Sequence, residues 1–87
     1  MRVVITRQAD KDLRRIDATM RSRIVGKIKQ FAADPASLAA NVKALEDTDR
    51  FRLRVADDRV IYRVDPETDI LTIMVVLAVR HRSNAYD

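Results

Sequence analysis

The chain has no cysteine, one histidine, one glycine and two prolines in 87 residues. Without cysteine there are neither disulfides nor thiolate chemistry. A lone histidine without cysteine cannot assemble a conventional structural zinc site, and the carboxylates form no recognisable metal motif. Neither a glycine-rich phosphate loop nor a serine–histidine–aspartate arrangement is present, so neither a metal nor another cofactor is expected. No stretch approaches the roughly 18 uncharged apolar residues of a membrane span. The apolar run after Met1 is too short for a signal peptide. A cytoplasmic protein without membrane association is the expectation.

What is present is apolar and basic. Hydrophobic residues make up 47% of the chain, enough for one compact domain over 1–87. The net charge of +4 favours a polyanionic partner such as nucleic acid. Its distribution says more than its size. Lysine stops at Lys43, whereas the segment from Arg50 to Arg82 carries seven arginines.

Residues 2–6 are rich in β-branched side chains and predict a strand. Thr6 is placed to cap a helix in which Ala9, Leu13 and Ile16 form an apolar stripe. Asp17 or Thr19 starts a second helix with Met20, Ile24, Ile28 and Phe31 on one face, ended by Asp34-Pro35. Gly26 lies inside it, where it would allow close approach of another helix. A short connection predicts an antiparallel helical hairpin. Residues 36–49 read as a connector with a helical turn near Ser37–Asn41. From Phe51 the period becomes two: Phe51, Leu53, Val55, then Val60, Tyr62, Val64. A third strand follows over residues 70–79. The expected fold is α+β, an N-terminal strand, a helical hairpin and a three-stranded antiparallel meander, with the helices on one sheet face.

Alternation has a chemical consequence. If Leu53, Val55, Val60 and Tyr62 point inward, Arg52, Arg54, Arg59 and Arg63 point outward. Continuing the third strand's outer series, Met74, Val76 and Ala78, brings Arg80 and Arg82 to that side. Guanidinium groups gathered on one face can hold phosphate oxygens bidentately. Half-solvated strands also alternate charged and apolar residues, so a plain solvated face fits the same pattern. Asp57 and Asp58, at the turn, are placed to neutralise one end. His81 is a candidate acid or base, because imidazole changes charge close to neutral pH; it is equally an ordinary surface residue. Tyr86, among cations, is a candidate proton-transfer group or a hydrophobic anchor for the tail.

The segment Phe51-Arg-Leu-Arg-Val-Ala-Asp-Asp-Arg-Val-Ile-Tyr-Arg-Val-Asp65, and the ending Arg80-His-Arg-Ser-Asn-Ala-Tyr86, resemble the RelE/ParE toxin superfamily. Ala9-Asp-Lys-Asp-Leu-Arg-Arg-Ile16 and the long second helix agree with it. Within that superfamily the chain is more similar to RelE-type enzymes, which cut mRNA in the ribosomal A site without a metal. The resemblance implies a RelE-like fold, with catalytic roles for Arg59, Arg80 and Tyr86. It places phosphate binding on Arg52 and Arg54, joined by Arg82 from the alternation. The family prototype has lysines where Arg52 and Arg54 stand, and an acid where His81 stands. Arginine cannot serve as a base, so the proton-transfer group is left among Tyr86, His81 and ribosomal RNA. The implied partners are a cognate antitoxin, the ribosome and mRNA. Ile61, Met74 and Val76, taken as exposed, are candidates for the antitoxin surface. Two other readings share the fold: a ParE-type inhibitor of DNA gyrase, and a relative that binds antitoxin without being toxic.

Overall fold

The computed structural model describes residues 1–68 and 72–81. Strand β1 (Arg2–Ile5) leads into helix α1 (Arg7–Arg14) and helix α2 (Ala18–Ala33). A 3-10 segment (Pro35–Asn41) precedes β2 (Val42–Ala44), β3 (Phe51–Val55), β4 (Asp58–Pro66) and β5 (Thr72–His81). The sheet order is β1-β5-β4-β3-β2, with β1 parallel to β5 and the other pairs antiparallel.

Local chemistry fixes the helix ends. The Thr6 hydroxyl accepts the Ala9 N–H at 3.2 Å and the Asp17 carboxylate accepts the Met20 N–H at 2.9 Å, satisfying backbone donors that the first turns leave open. Arg21 reaches back from α2 to donate to the carbonyls of Leu13 and Ile16, at 2.9 and 2.7 Å. It thereby neutralises the negative end of α1 and locks the turn between the helices.

The α1 and α2 stripes pack on one face of the sheet. Ala9, Leu13, Ile24, Ile28, Phe31 and Leu38 meet Leu53, Val55, Val60, Tyr62, Met74, Val76 and Val79 in one core. Tyr62 lies at its centre, 2% exposed, between the rings of Phe31 and Phe51 at 5.2 and 5.5 Å. Burial pushes its phenol up to about 12, so Tyr62 keeps its proton throughout the neutral range.

Several expectations change. Part of the 36–49 connector is a strand: β2 pairs with β3 through Val42↔Leu53, Lys43↔Arg52 and Ala44↔Phe51. The meander is therefore the middle of a five-stranded sheet, flanked by β1 and β2. Gly26 faces solvent, and an added Cβ there would meet nothing within 4 Å, so it serves no close helix approach. Met74 and Val76, expected outside, are both 0% exposed. The cause is a β-bulge. Tyr62 pairs with Val76 but Ile61 pairs with Ala78, leaving Leu77 as an extra residue in β5 that reverses its alternation. Met74, Val76 and Val79 thus all point inward. The Leu77 carbonyl is satisfied by the Thr6 hydroxyl at 3.1 Å, so one threonine both caps α1 and fastens the bulge.

Candidate nucleic-acid interface

On the face of the sheet away from the helices, register decides which arginines meet. Arg54 of β3 is opposite Arg59 of β4, and Arg59 is opposite Arg80 of β5. Three arginines therefore occupy one cross-strand row, on strands roughly 4.8 Å apart. The next row runs Lys43, Arg52, Ile61, Ala78 and adds two more cations. Like charges placed directly opposite one another destabilise a sheet. Such a row is a ready counterpart for an anion with several oxygens, which guanidinium forks grip bidentately.

Arg80 belongs to this row because of the bulge. Unbroken alternation from an outward Met74 gives Arg80 the same side, but Met74 is inward and the extra Leu77 returns Arg80 to the outer face. The Arg80 side chain then turns over the open edge of β5, where β1 has already ended. There it lies 3.7 Å from the Asp12 carboxylate. Asp12 is only 6% exposed; it also accepts the Val79 N–H at 2.9 Å and the Gln8 side-chain amide at 2.8 Å. A side chain of α1 thus replaces the missing neighbouring strand and supplies Arg80 with its counter-charge.

The other members separate. Arg63 is outward, but its Nε donates to both carboxylate oxygens of Asp65 at 3.1 Å, two residues along the same strand. Asp58 does not neutralise the row: it is buried and points to the helix side, opposite His81 in the register. His81 is exposed at the end of β5 and lines a cleft on the helix side with Asp12, Asp58 and Arg80. Arg82 and Tyr86 lie outside the described residues. Of the apolar candidates for a partner surface, Ile61 is half-buried on the outer face, while Met74 and Val76 belong to the core.

Sequence reasoning missed Asp12 and Lys43. Asp12 carried a signal, since Ala9, Asp12, Leu13 and Ile16 follow helical spacing and place an acid on the buried stripe. Lys43 carried none, because its strand is three residues long and exists through pairing with β3.

Comparison with known proteins agrees with this fold. The family described as ParE toxin of type II toxin-antitoxin system, parDE, matches residues 3–86. The toxin–antitoxin complex RelBE2 from Mycobacterium tuberculosis contains a chain with 27% identity and a TM-score of 0.74, covering 93% of this chain and 96% of that one. A YoeB/ParE toxin from Agrobacterium tumefaciens has 23% identity and a TM-score of 0.72, with coverage of 93% and 98%. The RelB–RelE antitoxin–toxin complex from Methanococcus jannaschii gives 19% identity and a TM-score of 0.64, with coverage of 92% and 91%. Among curated proteins none matches. With its sheet, its helical hairpin and a family match over nearly its whole length, the chain belongs to the RelE/ParE superfamily, in the ParE toxin family of type II toxin–antitoxin systems.

Proposed function

We propose that this toxin is a ribosome-dependent mRNA endonuclease of the RelE type. The observation that carries the reading is the Arg54–Arg59–Arg80 row, three permanent cations in register across β3, β4 and β5. In the proposed reaction a ribose 2′-oxygen forms a bond to the adjacent phosphorus, and the bond from phosphorus to the 5′-oxygen breaks. The 2′-hydroxyl proton passes to a base and a proton is delivered to the leaving oxygen, giving a 2′,3′-cyclic phosphate and a 5′-hydroxyl. Arg59 and Arg80 stabilise the charge that grows on the phosphate oxygens in the transition state. Arg52, Arg54 and Arg82 hold flanking phosphates, so that nucleophile, phosphorus and leaving oxygen stay in line. Tyr86 takes part in proton transfer. His81 is the weaker candidate for that role, since its strand position directs it to the helix side. The cognate antitoxin, the ribosome and mRNA are the partners on this reading, and the cytoplasm is the compartment.

A second reading has its own support: the matching family is described by its ParE members, and a ParE-type toxin acts by blocking DNA gyrase. One experiment separates the two. The purified chain is incubated with mRNA-programmed ribosomes and the RNA ends are mapped at nucleotide resolution, alongside a gyrase supercoiling assay. A-site cuts that disappear in Arg80→Ala and Tyr86→Phe are expected. Intact mRNA together with inhibited supercoiling would sink the endonuclease in favour of gyrase.

A further inference from the structure

On the helix side of the sheet, a cleft of about 780 Å³ opens between the α1–α2 connection and the β3–β4 turn. Its apolar wall is Ile16, Met20 and Val79. Four carboxylates line it, Asp12, Asp17, Asp57 and Asp58, against the two guanidiniums of Arg15 and Arg80, with His81 at the end of β5. Among the described residues, a chain of net charge +4 therefore lines this cleft with more carboxylates than guanidiniums.

Two of these acids differ sharply. Asp12 and Asp58 are each 6% exposed. Asp12 has three partners: the Val79 N–H, the Gln8 amide and Arg80. Asp58 points from β4 into the cleft and makes no hydrogen bond or ion pair with any described residue. A carboxylate on a residue more than nine-tenths buried, with no partner among the described residues and access only through the cleft, is poorly solvated. Such a group favours a cation that enters the cleft.

The sign of the cleft opposes an RNA phosphate. Among the described residues no group of three or more acids or histidines has metal-holding geometry, so an organic cation is the better match. Guanidinium suits the cleft better than ammonium: it is weakly hydrated, it stacks against apolar walls, and its fork fits a carboxylate bidentately. We infer that this cleft receives an arginine side chain of the antitoxin, with Asp58 as its buried counter-ion. The inference rests on the chain's being an antitoxin-bound toxin and is independent of RNA cleavage. Because Arg80 lines the same cleft, the occupant also sits beside one end of the arginine row.

The test uses the full chain and its cognate antitoxin, with affinity measured by calorimetry. Asp58→Asn keeps the shape and removes the charge. It is expected to weaken the complex by about 30-fold or more, while the melting temperature of the free chain stays the same or rises. A series of antitoxin Arg→Gln variants should contain one whose loss is of similar size and adds nothing to Asp58→Asn. Affinity within about 3-fold of wild type, or full additivity for every antitoxin arginine, would overturn the inference. A clear fall in the melting temperature of free Asp58→Asn would do so too, by making Asp58 a structural acid. Free guanosine is the competing probe, since its base edge can also donate to a carboxylate. Saturable, Asp58-dependent guanosine binding would reassign the cleft to a nucleobase. None of these readouts involves mRNA cleavage, so failure here leaves the endonuclease reading untouched.

Discussion

The two ends of β4 carry the same residue on the same face but give it different cross-strand neighbours. At one end Arg63 is tied to Asp65 on its own strand and stands opposite Val75. Nearby, Arg2 meets Glu67 at 3.2 Å, so this end is neutralised within the fold. At the other end Arg59 stands between Arg54 and Arg80, with arginine at every position of the row. Arginines opposite one another across strands repel, and an anion bridging them relieves that repulsion. On the proposed function, this difference sets a solvated strand end apart from the proposed phosphate-binding end, which strand periodicity alone could not do.

The largest expected effect tests that difference directly. Arg59→Ala should reduce A-site cleavage by about 10²- to 10³-fold, the range for losing one preorganised group that stabilises transition-state charge. Arg63→Ala should leave cleavage within about 3-fold of wild type, because its charge is already taken by Asp65. Single-turnover cleavage on programmed ribosomes measures both. Equal losses in the two variants would erase the distinction between the ends.

The acids that serve the two ends should differ in stability. Asp12 is buried and accepts the Val79 N–H at 2.9 Å, so Asp12→Ala leaves a backbone donor unsatisfied inside the fold. A cost of about 3 kcal/mol is expected. Asp65 belongs to a surface pair with side chains 37% and 41% exposed, and Asp65→Ala should cost well under about 1 kcal/mol. Urea unfolding of both variants measures the gap, and comparable losses would deny Asp12 its role at the end of β5.

How much of this was readable in the chain depends on whether a local rule or a pairing decided it. Thr6 and Asp17 announce helix starts because capping is a matter of three neighbouring residues. The alternation of β3 and β4 is plain because Arg52, Arg54, Arg59 and Arg63 mark the outer positions. In β5 no such marks exist: residues 72–79 are apolar on both faces apart from Thr72, so nothing reveals that Leu77 is an extra residue. The outward strand position of Arg80 was nevertheless anticipated, since assigning Met74 to the wrong face and omitting the bulge cancel, but not the turn of its side chain over the β5 edge to Asp12. β2 was unreadable for another reason, its three residues being a strand only through β3. Arg82 and Tyr86, legible as candidates through family resemblance, fall outside the described residues.

Tyr62 lies between the two ends of β4 and reports on the core they share. Its folded pKa is raised from 10.0 to about 12 by burial. The unfolded chain therefore loses the phenol proton first, and stability should fall as pH rises from 10 towards 12, by on the order of 2 kcal/mol in total. Below pH 10 both states keep the proton and this contribution is flat. Urea melts across that window, with Tyr62→Phe as the reference, isolate the effect from lysine titration. The same slope in both proteins would mean that the phenol is not held in the core.

The smallest effect is one of sign. Arg54 is exposed and faces Arg59 in register, so Arg54→Gln removes a like-charge neighbour and should stabilise the free protein by a few tenths of a kcal/mol, up to about 1. Arg63→Gln breaks the surface pair with Asp65 and should destabilise by a similar few tenths. The two changes remove the same charge from the same sheet face, so net charge cannot account for opposite outcomes; only the neighbours can. Salt gives the control. Both effects are electrostatic and solvent-exposed, and should shrink together as ionic strength rises from about 0.05 to 1 M. An Arg54→Gln variant less stable than wild type at low salt would mean that Arg54 and Arg59 do not repel across the strands, and the case for an external anion between them would lose its energetic basis.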